Sequence, residues 1–136
     1  MFAARPASTS GAIRKMGCAA AITVFEQIES QNLLAEGARI EKTLRPALEQ
    51  LAAKYPIIAE VRGIGAMIAI ELIDPETHAP RADAVSAIAA FAAQKGVLVL
   101  TAGTYGNVLR FLPSLAISDE LLLEAVGVLD EAFAAL

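Results

Sequence analysis

The segment Ile58-Ala59-Glu60-Val61-Arg62-Gly63-Ile64-Gly65-Ala66-Met67-Ile68-Ala69-Ile70-Glu71-Leu72-Ile73 decides the fold. Its two runs, Ile58 to Arg62 and Ala66 to Ile73, alternate with period two, the spacing that sends successive side chains to opposite faces of a strand. Ile68, Ile70 and Leu72 fall on one side, and Met67, Ala69 and Glu71 on the other. Gly63-Ile64-Gly65 stands between the runs, where glycine can take the positive φ that a reversal often needs. The segment reads as a β-hairpin.

Upstream the period changes to that of a helix. From Gly17 to Ser30, the residues Ala21, Val24, Phe25 and Ile28 share one helical face, with Glu26 and Glu29 off it. Asn32 reads as the N-cap of a second helix, which carries Gly37, Ile40, Leu44, Leu48, Leu51 and Tyr55 at spacings of three and four. Glu41 and Arg45 can pair one turn apart. Pro46 removes a backbone donor and predicts a kink, and Pro56 ends the element.

Downstream of the hairpin, Asp74-Pro75-Glu76-Thr77 opens a polar loop that runs through Pro80. A third helix spans about Asp83 to Lys95, with Val85, Ile88, Ala89 and Ala92 on its stripe and Gly96 just past its end. Two short β-rich runs, Val97–Thr101 and Val108–Leu112, are joined by Ala102-Gly103-Thr104-Tyr105-Gly106-Asn107. Ser118 caps a last helix whose buried face is Leu122, Ala125, Leu129, Ala132 and Leu136. The order α-α-β-β-α-β-β-α predicts a two-layer α+β domain: a small, mostly antiparallel sheet with helices packed on one face.

Composition narrows the function classes. Alanine fills 29 of 136 positions, aromatics only 5%, and tryptophan none, so the core is built from small and aliphatic side chains. A net charge of −4 argues against a dedicated nucleic-acid binder, which needs a basic face to neutralise phosphates. No apolar run approaches the ~18–20 residues needed to span a bilayer. Residues 1–16 carry Arg5, Arg14 and Lys15 and no acid, which leaves −7 on the remainder. This stretch reads as an N-terminal tail ahead of a domain at 17–136; a signal peptide is the other reading, but no small-residue cleavage site follows Phe25. The single cysteine, Cys18, cannot form an internal disulfide, which makes a cytoplasmic setting the default.

Four places offer chemistry. Gly63-Ile64-Gly65 has half of a phosphate-binding fingerprint but lacks the third glycine and the following helix, so a hairpin turn is preferred. His78, beside Asp74 and Glu76, reads as part of a solvated loop rather than a metal cluster. Cys18 reads as a buried, inert thiol. Arg110 interrupts the apolar run Val108-Leu109-Arg110-Phe111-Leu112, and a guanidinium there must find an anion or reach water. It has three outlets: an ion pair with an acid such as Glu71, a solvated place on the open face of the sheet, or a bidentate clamp for a substrate carboxylate.

Two stretches, Val61-Arg62-Gly63-Ile64-Gly65 through Leu72 and Gly103-Thr104-Tyr105-Gly106-Asn107 through Pro113, resemble the C-terminal small domain of class III aminotransferases. The resemblance spans about residues 17–136 and is closest in look to the 4-aminobutyrate aminotransferases. It implies a pyridoxal-phosphate chemistry in which Arg110 holds the substrate carboxylate and the hairpin at Arg62 is structural. It also implies that the Schiff-base lysine, the acid on the pyridine nitrogen and the phosphate-binding residues belong to a large domain. None of Lys15, Lys42, Lys54 or Lys95 stands in a matching motif, so no catalytic, cofactor-binding or metal residue is assigned within the chain. The expectation is a detached small domain, inactive alone, with a large-domain partner or a second copy against it. The alternative is a self-associating interaction domain that kept the fold and lost the reaction.

Overall fold

The computed structural model describes the backbone of residues 9–136 and the side-chain surroundings of residues 15–136. Its elements are α1 (Thr9–Ser30), α2 (Leu33–Lys54), β1 (Ile58–Ile64), β2 (Met67–Leu72), α3 (Ala82–Gln94), β3 (Leu100–Ala102), β4 (Val108–Phe111) and α4 (Asp119–Ala134). The order is the one read from the sequence. Two compact units divide the chain, residues 1–34 and residues 35–136.

The first unit is helix α1, which begins eight residues before the expected start at Gly17. Residues 1–8 of the expected tail, Arg5 among them, lie outside the described residues. Two expectations about this unit are corrected. Cys18 is exposed rather than buried. Asn32 does not open α2 in the extended conformation of an N-cap. Its φ is +51° and its N–H donates to the Glu29 carbonyl, so it terminates α1, a role asparagine fills through its tolerance of left-handed backbone.

In the second unit the strands form one antiparallel sheet in the order β1-β2-β4-β3. Ile68, Ile70 and Leu72 of β2 and Leu109 of β4 are fully buried on its inner face. Against them pack Ile40, Leu44, Leu48 and Leu51 of α2, Val85, Ile88 and Ala92 of α3, and Leu122, Val126, Leu129 and Phe133 of α4. In α4 the buried face includes Val126 and Phe133, whereas Leu136, expected inside, lies beyond the helix and is exposed. Ser118 caps α4 as expected, its hydroxyl accepting from the Leu121 N–H. Helix α2 continues through Pro46 to Lys54.

Two details of backbone chemistry fix the ends. Gly96, at φ +84°, closes α3: its N–H donates to the Ala93 carbonyl, and that of Val97 to the Ala92 carbonyl. This pair of bonds is a Schellman ending. It holds Val97 to the helix, so β3 starts only at Leu100 instead of the expected Val97. At the hairpin, Ile64 pairs with Met67 around the two-residue loop Gly65-Ala66. Helix α2 grips this loop: Glu41 accepts from the Gly65 N–H at 2.6 Å, Arg45 donates to the Gly63 carbonyl at 2.7 Å, and the two side chains pair with each other.

Gly63 tests the hairpin directly. Its φ is +141°, and a Cβ there would lie 2.1 Å from the Met67 carbonyl oxygen. Gly63→Ala is expected to lower the denaturation free energy by more than ~2 kcal/mol, the scale of forced strain at a special backbone position. Gly127, on the exposed side of α4 with nothing within 4 Å of a new Cβ, is expected to show the opposite sign on mutation to alanine, a gain of about 0.5–1 kcal/mol.

The Glu41 clasp carries a pH signature. The Gly65 N–H, and after it Arg45, hold this carboxyl below its usual 4.5. A depressed folded-state value means the unfolded chain binds the proton first, so the contribution is complete above about pH 5 and fades as pH falls through the depressed value. Urea titrations from pH 7 to pH 3 should show a smaller acid loss in Glu41→Gln than in the wild type. Equal slopes would place the acid sensitivity elsewhere.

Candidate functional site

Alternation along β4 separates its side chains. Leu109 and Phe111 enter the core, and Arg110 between them is exposed on the other face. Its cross-strand partners are Ala69 on β2 and Leu100 on β3, neither of which offers an anion. Among residues 15–136, whose side chains are described, every other arginine holds a carboxylate. Arg39 pairs with Glu36 and Asp119, Arg45 with Glu41, Arg62 with Glu60 and Glu71, and Arg81 with Asp83. Arg110 has no ion pair or side-chain hydrogen bond among the described residues.

Glu71, the acid named as an outlet for Arg110, is engaged elsewhere. It pairs with Arg62 through Oε2, and its Oε1 accepts from Asn107 Nδ2 at 3.2 Å. Arg62, and then Asn107, hold its carboxyl below the ordinary 4.5. Asn107 is the one buried polar residue among the described residues, 2% exposed. Its second amide hydrogen goes to the Leu72 carbonyl at 3.1 Å, and its own carbonyl accepts the Leu72 N–H at 2.8 Å. These bonds anchor the end of the loop that leads into β4. Gly103 and Gly106 turn that loop at φ +86° and +67°, and the Gly106 N–H donates to the Gly103 carbonyl. From the sequence Asn107 is only the last residue of the joining loop; its anchoring role needed the register that brings it against Glu71 and Leu72.

The other candidates separate cleanly. The Gly63-Ile64-Gly65 stretch is the hairpin corner, with no helix opening after it. His78 adopts φ +59° in a loop where Asp74 accepts from the Glu76 and Thr77 N–H groups and the Thr77 hydroxyl. No group of three or more His, Cys, Asp or Glu able to hold a metal occurs among the described residues. No helix of the described residues is long and apolar enough to cross a membrane. A cavity of about 410 Å³ opens beside β3, between residues 95–100 and α4, and its lining is chiefly apolar.

The four lysines are either ion-paired or exposed. Lys54 is bonded to Asp130 at 2.7 Å, which with Tyr55 raises its pKa and keeps it protonated, the reverse of what a nucleophilic amine needs. Lys95 pairs with Glu131, and Lys15 and Lys42 are exposed on helices. Lys54 and Lys95 each also lie over an aromatic ring, Tyr55 at 5.0 Å and Phe91 at 5.7 Å.

Residues 12–133 match the family model of the class-III aminotransferases. The chain is 43% identical over 119 residues to the 5-aminovalerate aminotransferase DavT of Pseudomonas putida, and 42% identical over 116 residues to a probable 4-aminobutyrate aminotransferase of Bacillus subtilis. These alignments cover 88% and 85% of this chain but only 28% and 27% of the relatives. Among solved structures, an amine transaminase from an uncultivated Pseudomonas species, in its PLP-bound form, superposes at a TM-score of 0.74 with 34% identity, over 87% of this chain and 27% of that one. A phospholyase from Arthrobacter in complex with phosphoethanolamine superposes at 0.78 with 25% identity, over 85% and 28%.

The geometry at Arg110 makes a stability forecast. With no partner to lose and a solvated face around it, Arg110→Ala is expected to change the unfolding free energy by no more than about 0.5 kcal/mol. Chemical denaturation of the two proteins checks this. A loss of several kcal/mol would identify Arg110 as a structural residue instead.

Proposed function

Because this chain belongs to the class-III aminotransferase family, we propose that it is the small domain of a pyridoxal-phosphate-dependent transaminase of the 4-aminobutyrate type, with Arg110 as its carboxylate-binding residue. The observation that carries this reading is the unpaired guanidinium on the exposed sheet face, where the other arginines of residues 15–136 all hold acids. A guanidinium presents parallel N–H donors that match a carboxylate bidentately, and that geometry orients the bound molecule as well as holding it. Arg110 therefore grips the acid end of an amino-acid substrate and leaves the amino end free to point away from the sheet.

The chemistry itself belongs to a cofactor that acts as an electron sink, held by residues of a large domain. The chain spans about 28% of the length of the first relative it matches, and its own lysines do not fit that role. In this reading a large domain seats against the small one and completes the site. Exposed apolar side chains support such a partner: Leu98 is 88% exposed and Leu112 58% in the second unit, and Phe25 is 68% exposed in the first. In this reading such side chains meet the partner. Taken alone, the chain covers them by self-association, with a homodimer as the simplest closed form. A cytoplasmic, reducing setting goes with the lone exposed Cys18.

The second reading, a free-standing interaction domain that kept the fold without the reaction, draws on the same exposed side chains. The two part on Arg110, for which an interaction domain has no use. Two measurements follow. The chain supplied with pyridoxal phosphate should turn over 4-aminobutyrate and 2-oxoglutarate no faster than the free cofactor does; a rate above that background overturns the division of labour proposed here. Sedimentation at rising concentration should reveal dimers, and a monomer throughout would remove self-association from the reading.

A further inference from the structure

The register of the sheet sets Glu71 between two guanidiniums. Arg62 on β1 and Arg110 on β4 are both cross-strand partners of Ala69, one from each side of β2. Glu71 stands two residues along β2 on the same face, where its direct partners are Glu60 and Val108. It is thus the diagonal neighbour of both arginines, and diagonal neighbours about 7–8 Å apart remain within reach of long side chains. On the ladder alone, this acid could serve either one.

In the folded chain it serves Arg62. One carboxylate oxygen takes the Arg62 guanidinium and the other takes Asn107 Nδ2. Asn107 is itself fixed by the Leu72 carbonyl, so the acid is held from two directions, by a residue of β1 and by one at the end of the loop entering β4. Glu60 adds a second acid to Arg62 and none to Arg110. The allocation matters because a tethered acid acts at an effective concentration in the millimolar range or above. An exposed arginine facing such an acid would be occupied before any dissolved carboxylate reached it.

We propose that Arg62 and Asn107 are positioning residues that engage both oxygens of Glu71 and so keep this acid off Arg110, leaving the Arg110 guanidinium open to a ligand carboxylate. This rests on the reading of Arg110 as the carboxylate-binding residue. It gives the hairpin at Arg62 a part in ligand binding without touching the ligand.

The test follows the Arg110 Nε–Hε resonance in the full chain, identified by its loss in Arg110→Lys, with glutarate as the probe. In the ligand-free wild type the resonance should be insensitive to Glu71→Gln. In Arg62→Gln it should move, because Glu71 swings to the remaining arginine, and the added Glu71→Gln change should return it. Glutarate affinity should fall about fivefold in Arg62→Gln, the weight of an exposed ion pair, and recover in the double variant. Arg62→Lys, which keeps a cation beside Glu71, should retain the wild-type spectrum. An unmoved ligand-free resonance in Arg62→Gln overturns the proposal. Absence of any glutarate response in the wild type would instead count against Arg110 as a binding residue, and the ligand-free comparison would still decide whether Glu71 is being held away.

Discussion

Every cross-strand relation among the three longest strands runs through β2, and β2 works only because its two sides cannot be exchanged. It pairs with β1 on one edge and β4 on the other. Its inward residues Ile68, Ile70 and Leu72 are fully buried, each worth roughly 1.5–3 kcal/mol on leaving water. A slip of one residue would turn these three out and drive Glu71 into the core, where an unpaired carboxylate costs several kcal/mol. The register is therefore set by a penalty of many kcal/mol, and the positions of Arg62 and Arg110 beside Ala69 follow from it. The clasp from Glu41 and Arg45 of α2 onto the hairpin loop adds a local lock at the same end.

Much of this was legible in the sequence because it rests on period and on backbone exceptions. The alternation of Met67 to Leu72, the stripe Ile40-Leu44-Leu48-Leu51, the Ser118 cap and the Gly96 ending each depend on a few neighbouring residues. Where the reading failed, a competing local interaction decided or the spacing carried no information on burial. Val97 looked like a strand residue and is one by type, but the Schellman bond to Ala92 claims it first. Asn32 suits either end of a helix, and only its left-handed backbone tells which. The stripe on α1 has helical spacing, yet spacing reports that residues share a face and is silent on whether anything covers it.

The site was legible in part, and the boundary falls at register. Arg110 stood out as a charge in an apolar run, and alternation with Leu109 and Phe111 sufficed to place it on the open face. Whether Glu71 would neutralise it could not be read along the chain. That question depends on three strands lying in one order, with Arg62 and Arg110 both opposite Ala69, and on a buried asparagine arriving from the loop before β4. Sequence names the charges; the ladder allocates them.

The allocation bears on why an arginine stands at position 110 at all. A residue kept for folding makes a bond, fills a space or favours its backbone conformation. Arg110 has no ionic partner among the described residues, is exposed between Ala69 and Leu100, and sits in a strand where β-branched or aromatic residues pack better. The other described arginines each tie two elements or one turn together through an acid, Arg39 joining α2 to α4 and Arg62 joining β1 to β2. The Arg110 guanidinium thus makes no ionic or side-chain hydrogen bond to the rest of the described domain. In the proposed reading its place is accounted for by a carboxylate brought from outside, and the engaged state of Glu71 is the condition under which that carboxylate does not compete with this acid.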